Sequence, residues 1–199
     1  MTELLVAKDL KDSTKSGMKG ISEQQIEGHY NVLYKGYVNK VNQIRTELKS
    51  VDRTSANATF SPYRELKIEE GFALDAVKLH ELYFDNLGGP GGKPTGKVLT
   101  LIERDFGSYE AWEADLKAAG IAARGWVVTA YDLDDGQLHN FICDVHNQGG
   151  IWSAIPIVVL DVYEHAYFVD YGTRRAAYLD AFIANLDWET IGNRLGKIA

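Results

Sequence analysis

The chain has 199 residues, a formal net charge of −7 and a single cysteine, Cys143, and its 45% hydrophobic and 25% charged residues are typical of a soluble globular protein. The negative balance, with no Lys/Arg run longer than the pair Arg174 and Arg175, argues against nucleic-acid binding, and one cysteine excludes an internal disulfide framework or a Cys-based zinc cluster. The apolar runs are far shorter than the roughly 20 residues of a membrane span, and the N-terminal segment is charged throughout. We therefore expect a cytoplasmic protein with no membrane partner.

The first part of the chain has the periodicity of two helices. From Ser22 to about Leu48 apolar residues recur three or four positions apart, which predicts a long amphipathic helix capped by Ser22. A polar stretch without periodicity follows, and helical spacing returns from Tyr63 to Leu87. Two helices joined by such a loop predict an antiparallel helical hairpin.

Glycine and proline are concentrated in GGPGGKPTG, residues 88–96, a composition typical of a domain boundary. We therefore predict an N-terminal helical hairpin domain over residues 1–88 and a C-terminal α/β domain over residues 97–199. Residues 89–96 form the predicted linker.

Beyond the linker, two helical segments give way to strands, and the second helix opens at Ser108. GWVVTAYDL, QLHNFICDV and IPIVVL have strand composition, and Asp-Asp-Gly between the first two is a hairpin signal. After Asp161, helical spacing resumes through VYEHAYFVDY and RRAAYLDAFIANL. This order predicts an α+β fold with a three-stranded antiparallel sheet in its C-terminal part.

Three histidines and one aspartate are the strongest candidates for chemistry. His29 lies beside the apolar stripe of the first predicted helix, His80 lies on the second, and His165 lies just inside the helix that follows the third strand. A lone histidine on an apolar face is more often a packed, hydrogen-bonded residue than a ligand. Asp161 is harder to explain in this way, because an ionised carboxylate at the end of a buried strand is costly unless it is paired or bound to a metal.

Two interpretations of Asp161 remain open from the residues alone. As a helix N-cap it would need no metal, since aspartate favours that position. As a ligand it would join three imidazoles in a mixed nitrogen and oxygen set that suits iron, manganese or zinc better than calcium or magnesium. The HExxH motif fails because the fifth residue of HELYF is Phe84, and no histidine follows a Glu-x-x spacing.

The segment DVYEHAYFVDYGTRRAAYLDAF resembles the C-terminal signature of the iron/manganese superoxide dismutases, Asp-x-Trp-Glu-His-Ala-Tyr followed by Tyr-Leu-x-Ala-Phe. GHYNVLYKGYVNKVN resembles the first helix of that family, and DFGSYEAWEADL and the Gly-Trp pair resemble stretches between them. The resemblance extends over roughly residues 20–195 and follows the order of the family's segments. It implies the α+β fold described above, with a metal held between the two domains.

Carried over residue by residue, the resemblance implies four metal ligands and four catalytic residues. The metal ligands are His29, His80, Asp161 and His165. The catalytic residues are Tyr37 at the gateway, Trp126 in the active site, Arg175 near the channel mouth and His146 beside the metal-bound solvent. Glu164 matches the residue that crosses the subunit interface, which implies a homodimer or a homotetramer.

This sequence departs from the family pattern at several positions. The tryptophan of Asp-x-Trp-Glu-His is Tyr163, and the glutamine that family members carry four residues before the second histidine is Ala76. The alternative glutamine position falls on His146, as in a histidine-bearing subset, with Gln148 as the other assignment. A histidine there is bulkier than glutamine and can change its protonation state.

The resemblance implies an oxidoreductase that converts superoxide to dioxygen and hydrogen peroxide with one iron ion per subunit. Manganese, or activity with either metal, is the alternative, because both forms share their ligands. A metal-binding but weakly active or structural family member is the competing interpretation. A non-haem iron oxygenase is less consistent with the residues, because such sites normally use two histidines and one carboxylate.

Overall fold

The computed structural model describes residues 4–197, which form helices around one small sheet. The helices are α1 (Asp12–Lys15), α2 (Glu23–Glu27), α3 (Lys35–Ser50), α4 (Pro62–Asn86), α5 (Gly96–Phe106), α6 (Tyr109–Ala122), α7 (Phe168–Tyr171), α8 (Arg175–Ile183) and α9 (Trp188–Leu195). The strands are β1 (Trp126–Asp132), β2 (Leu138–Cys143) and β3 (Ala154–Asp161). The predicted α+β class is confirmed, and no helix of the described residues is long and apolar enough to span a bilayer.

The predicted N-terminal helical hairpin forms from α2 to α4. The Ser22 hydroxyl accepts a hydrogen bond from the Gln25 amide, as expected for an N-cap, and Ser61 caps α4 in the same way with Pro62 in the first turn. The first helix is not uniform, however, because residues Gly28–Tyr34 form a π-helical stretch between α2 and α3. Such stretches are rare and frequently occur at functional sites.

The sheet has the strand order β2-β1-β3, and both pairs are antiparallel. The predicted hairpin turn joins β1 to β2, and Gly136 supplies the positive φ of 70° that it requires. Trp126, the first residue of β1, lies opposite Asp161, the last residue of β3. The sheet therefore brings these two side chains to the same end, which faces α4.

The helical region predicted after Asp161 is present but interrupted. Residues Glu164–Ala166 form a single 3₁₀ turn, and the four-residue helix α7 ends at Gly172, which has a positive φ of 54°. The side chain of Gln25 holds this segment against α2, because its amide donates to the His165 carbonyl at 2.5 Å and its oxygen accepts from the Val169 amide at 3.2 Å. His165 is therefore positioned by a tertiary contact rather than by a regular helix.

Residues that precede α2 extend over the helical hairpin. Asn42 makes two hydrogen bonds with the backbone of Leu5, and the Tyr34 hydroxyl accepts from the Lys8 amide at 2.8 Å. Lys11 donates to the Asp85 carbonyl at 2.7 Å and pairs with Asp187 at 2.6 Å. The N-terminal segment thus ties α3 and α4 to the C-terminal helices.

The Gly/Pro-rich stretch is closely packed against the C-terminal helices. Gly89 and Gly91 donate to the carbonyls of Asn185 and Leu186, each at 3.1 Å. A Cβ atom at Gly89 would lie 2.4 Å from the Asp187 Cα atom, so a larger residue would displace the backbone. The division of the chain into two domains at residues 89–96 stays a prediction.

Candidate metal centre

One ligand atom from each of His29, His80, Asp161 and His165 lies within 4.8 Å of the other three. The four residues come from the π-helical stretch, from α4, from the end of β3 and from the 3₁₀ turn. The packing of α4 against α3 on one side and against β3 on the other brings these distant parts of the chain together. All four ligands implied by the family resemblance therefore converge on one point.

His29 is fully enclosed and lacks a conventional partner. Its Nε2 atom lies 3.1 Å from Asp161 Oδ2 but is not aligned for a hydrogen bond, and its Nδ1 atom has no partner among the described residues. The ring is surrounded by aromatic side chains, with Tyr83 at 5.1 Å and Phe84 at 5.0 Å between centroids. Burial lowers the pKa of His29, so the imidazole is neutral.

His80 has a defined tautomer. Its Nδ1 atom lies 2.7 Å from the Ala76 carbonyl, and because a carbonyl can only accept, the proton is on Nδ1. The lone pair is then on Nε2, which is buried without a hydrogen bond and lies 3.8 Å from Asp161 Oδ2. Burial lowers the pKa of His80 to about 3, which keeps the ring neutral.

Asp161 supplies the negative charge of the cluster. Its Oδ1 atom accepts a hydrogen bond from the Tyr163 amide at 2.9 Å, while Oδ2 faces all three histidines. Burial alone would raise the pKa of Asp161, but the neighbouring His165 and His29 outweigh it and lower the pKa below the ordinary value. The N-cap interpretation is wrong, since Tyr163 occupies that position before the 3₁₀ turn and its amide bonds to Asp161.

His165 closes the cluster on its more accessible side. Its side chain is 27% exposed, and its Nε2 atom lies 3.2 Å from Asp161 Oδ2. Tyr163 stacks on the ring with 5.2 Å between centroids and 14° between planes. The smaller aromatic at this family position therefore still covers one face of the histidine.

The donor set fits a transition-metal cation. A buried polar atom without a partner normally costs free energy, and here the unpartnered nitrogens of His29 and His80 surround an ionised carboxylate. A cation at the centre would satisfy these lone pairs and neutralise the buried charge. Imidazole nitrogens and one carboxylate oxygen are ligands that iron, manganese and zinc accept.

A second group of side chains forms a hydrogen-bonded chain beside the cluster. Trp126 donates from its indole nitrogen to His146 Nδ1 at 3.0 Å, and His146 Nε2 lies 2.9 Å from the Tyr37 hydroxyl. Because the indole can only donate, His146 Nδ1 must accept, so the proton of the neutral imidazole is on Nε2 and is donated to the Tyr37 oxygen. The hydroxyl proton of Tyr37 is then free for another acceptor.

Burial maintains this arrangement at neutral pH. It lowers the pKa of His146 to about 4 and raises the pKa of Tyr37, so both groups are uncharged. The ring of His146 also packs on Phe72, with 4.7 Å between centroids. Gln148, the alternative assignment, is exposed, and Ala76 is fully buried behind His80.

Arg175 and Glu164 lie apart from this chain. Arg175 donates to the Tyr167 hydroxyl at 3.1 Å and to the Ala123 carbonyl at 2.8 Å, and none of its hydrogen bonds with the described residues goes to Tyr37, Trp126 or His146. Glu164 is exposed on the 3₁₀ turn next to His165. Their predicted roles, at the channel mouth for Arg175 and at a subunit interface for Glu164, stay predictions.

Aromatic residues around the cluster were not anticipated by the helical pattern. Tyr83 and Phe84 follow His80 closely in sequence and enclose His29, while Tyr163 covers His165. The sequence signals for them are the concentration of aromatic residues in HELYF and DVYEHAY and, for Tyr163, its match to an aromatic position of the family signature. These rings exclude water from the inner side of the cluster.

Comparison with known proteins identifies relatives of the whole chain. Residues 94–194 match the family model described as iron/manganese superoxide dismutases, C-terminal domain. The chain is 45% identical over 193 residues to the superoxide dismutase [Fe] of Aquifex aeolicus (strain VF5), covering 94% of this chain and 90% of that protein. It is 44% identical over 193 residues to the superoxide dismutase [Fe] of Aquifex pyrophilus, with the same coverage.

A relative named for the other metal is also similar. The superoxide dismutase [Mn] of Haloarcula marismortui is 37% identical over 182 residues, which cover 89% of this chain and 86% of that protein. Iron and manganese therefore both occur in the names of proteins whose sequences align with most of this chain.

Proposed function

The chain belongs to the iron/manganese superoxide dismutase family, and we propose that it converts superoxide to dioxygen and hydrogen peroxide with a metal held by His29, His80, Asp161 and His165. The observation that carries the proposal is the convergence of three imidazoles on one buried, ionised carboxylate. Two superoxide ions and two protons give one dioxygen and one hydrogen peroxide. A bound iron or manganese ion supplies the electron transfer, since it can alternate between the +3 and +2 states.

The metal is iron, with one ion per subunit, and manganese or the use of either metal is the alternative. Relatives named for either metal match most of this chain, and the donor set suits both ions. The ligands themselves do not discriminate between the two. The residues beside the centre, above all His146, therefore set the preference.

Trp126, His146 and Tyr37 hold and move a proton in this proposal. Trp126 fixes the orientation of His146, and His146 donates to the Tyr37 oxygen, which leaves the Tyr37 proton available towards the centre. Tyr37 is only partly buried, so solvent can return a proton to its hydroxyl. These hydrogen-bonded side chains thus link the enclosed cluster to bulk water.

Arg175 contributes charge and position near the entrance to the centre. The net charge of −7 opposes the approach of an anion, so local positive charge is needed to attract superoxide. Arg175 supplies such a charge on α8, and its bond to Tyr167 orders the segment that carries His165. If charge dominates, substitution of Arg175 should slow the reaction more at low ionic strength than at high, because salt screens the attraction of superoxide. If the position of the His165 segment dominates, the effect should be the same at both ionic strengths.

The protein acts as a homodimer, or as a homotetramer built from such dimers, in the cytoplasm. Glu164 is exposed beside the half-exposed Phe168 and Val169, a polar and apolar combination typical of an interface. A partner covering this surface would also cover the exposed part of His165. In sedimentation measurements Glu164→Ala should weaken association, and an unchanged dimer would remove Glu164 from the interface.

Separate loading with iron and with manganese tests the proposed activity. Each form is analysed for bound metal and then assayed for superoxide consumption, with the metal-free chain as the blank. We expect activity in at least one loaded form. Full occupancy without activity in either form would contradict the dismutase and favour the metal-binding, structural alternative.

A further inference from the structure

Two tyrosines lie directly behind the carboxylate of the candidate metal centre. Tyr83, on α4, and Tyr178, on α8, are both fully buried. The Tyr178 hydroxyl lies 2.8 Å from the backbone carbonyl of Asp161 and 3.2 Å from the Tyr83 hydroxyl. Nothing in the sequence pattern had assigned chemistry to either residue.

The direction of this hydrogen-bonded chain is determined. A carbonyl can only accept a hydrogen bond, and a neutral hydroxyl has one proton. Tyr178 therefore donates its one hydrogen bond to the backbone carbonyl of Asp161. Tyr83 must then be the donor to the Tyr178 oxygen.

This chain fixes Asp161 from the side opposite to its carboxylate. The carboxylate is held by the Tyr163 amide through Oδ1, and the main chain is held by Tyr178 through its carbonyl. Tyr83 also packs against the His29 ring at 5.1 Å between centroids and stacks on Phe182 at 5.9 Å. The two tyrosines therefore join α4 and α8 to the end of β3 at the point where the ligands must meet.

We propose that Tyr178, supported by Tyr83, is a positioning residue that sets the orientation of Asp161 towards the metal. The inference rests on the proposed metal centre, since it assigns a role to residues around it. Tyr178 touches neither substrate nor metal, and it acts through the peptide that carries the ligand. Tyr83 acts through Tyr178, so its contribution depends on the presence of the Tyr178 hydroxyl.

The substitution Tyr178→Phe removes the donor and keeps the ring. We expect the iron-loaded variant to lose its metal to a chelator about tenfold faster than the unsubstituted protein, at the lower end of the effect of groups that orient ligands. The electron paramagnetic resonance spectrum of its ferric form should also change, because it reports the symmetry of the ligand field. Tyr83→Phe should give a smaller change of the same kind, about threefold in the rate.

A double variant with Tyr83→Phe and Tyr178→Phe distinguishes coupled hydrogen bonds from two independent packing effects. If Tyr83 acts through Tyr178, the double variant should release metal at the same rate as Tyr178→Phe alone. Tyr109→Phe is the matched control, because Tyr109 is a buried tyrosine on α6, outside the metal centre. The control should lower the melting temperature without changing the spectrum or the rate of metal release.

The outcomes are distinguishable from those of the activity assay. A spectrum and a release rate unchanged in Tyr178→Phe, or multiplicative effects in the double variant, would overturn the positioning role. Should Tyr178→Phe fail to fold, Tyr83→Phe alone decides the matter, and an unchanged spectrum and release rate in it would overturn the proposal. If the unsubstituted protein binds iron without dismutating superoxide, the proposed function fails while the positioning role can still be supported; if it binds no iron, both fail.

Discussion

Two groups of imidazole and carboxylate side chains occur in the described part of the molecule, and they differ in what surrounds them. In the centre, the three histidines and Asp161 are largely withdrawn from water, and imidazole nitrogens are left without partners. At the β1–β2 hairpin, Asp132, Asp135 and His139 also lie close together, but they are partly or fully exposed. There, His139 bonds to Asp135 at 2.8 Å, and Asp132 accepts from the Asp134 amide.

The comparison teaches that residue type and proximity alone do not make a metal site. The hairpin group satisfies its own hydrogen bonds and is solvated, so an ion would have to displace both water and existing partners. In the centre, desolvation has already been imposed by folding, and a cation would compensate for it. We therefore expect substitutions in the two groups to have very different consequences.

The largest effect should come from Asp161→Asn, which keeps the shape of the side chain and removes the buried charge. The amide is a weaker ligand and cannot neutralise a cation, so we expect bound iron or manganese to fall below a tenth of the normal occupancy. Dismutase activity should fall by at least about 100-fold. Elemental analysis together with the activity assay measures both, and a fully occupied, active variant would show that Asp161 is not a ligand.

Removal of the metal should be the next largest effect, because it leaves the buried lone pairs unsatisfied. An ion present at about 1,000 times its dissociation constant stabilises the folded state by about 4 kcal/mol. For a chain of this size that corresponds to a fall in melting temperature of about 10 °C after chelation. Calorimetry of the loaded and chelated protein measures the shift, and readdition of iron or manganese should restore it.

A smaller effect is expected from His146→Gln, which changes the group beside Tyr37 without touching a ligand. Glutamine also has a donor and an acceptor, but it is shorter and cannot maintain both the Trp126 and the Tyr37 contact at the same distances. We expect the ratio of activities of the iron-loaded and manganese-loaded forms to change by about tenfold. Gln148→Ala is the control, and an unchanged ratio in His146→Gln would exclude His146 from this role.

Much of the fold was accessible from local patterns. The helix starts at Ser22 and Ser108 follow from capping chemistry, and the β1–β2 turn follows from Asp-Asp-Gly. The π-helical stretch around His29 could not be predicted, because apolar residues spaced three and four apart contain no signal for one wider helical turn. The 3₁₀ turn at His165 was also missed, since it is held by the distant Gln25.

The candidate metal centre likewise has features that the sequence predicts and features that it does not. The sequence pattern placed His29 and His80 beside apolar stripes and marked Asp161 as a costly charge at the end of a buried strand. Their convergence depends on packing between parts of the chain far apart in sequence, and only the family resemblance implied it. The tautomers of His80 and His146 are set by the Ala76 carbonyl and the Trp126 indole, which sequence alone does not bring into contact. The tyrosine pair behind Asp161 was inaccessible for the same reason.

The smallest effect should come from His139→Ala, which removes the imidazole of the hairpin group. Its bond to Asp135 is exposed, and exposed pairs contribute little to stability. We expect unchanged iron or manganese content, unchanged activity and a shift in melting temperature below about 2 °C. His80→Ala is the matched comparison, because it removes the same ring from the buried group and should lower the iron or manganese content severalfold. If His139→Ala lost as much metal as His80→Ala, the exposed hairpin group would determine where the ion binds, and the burial of unpartnered donors would not.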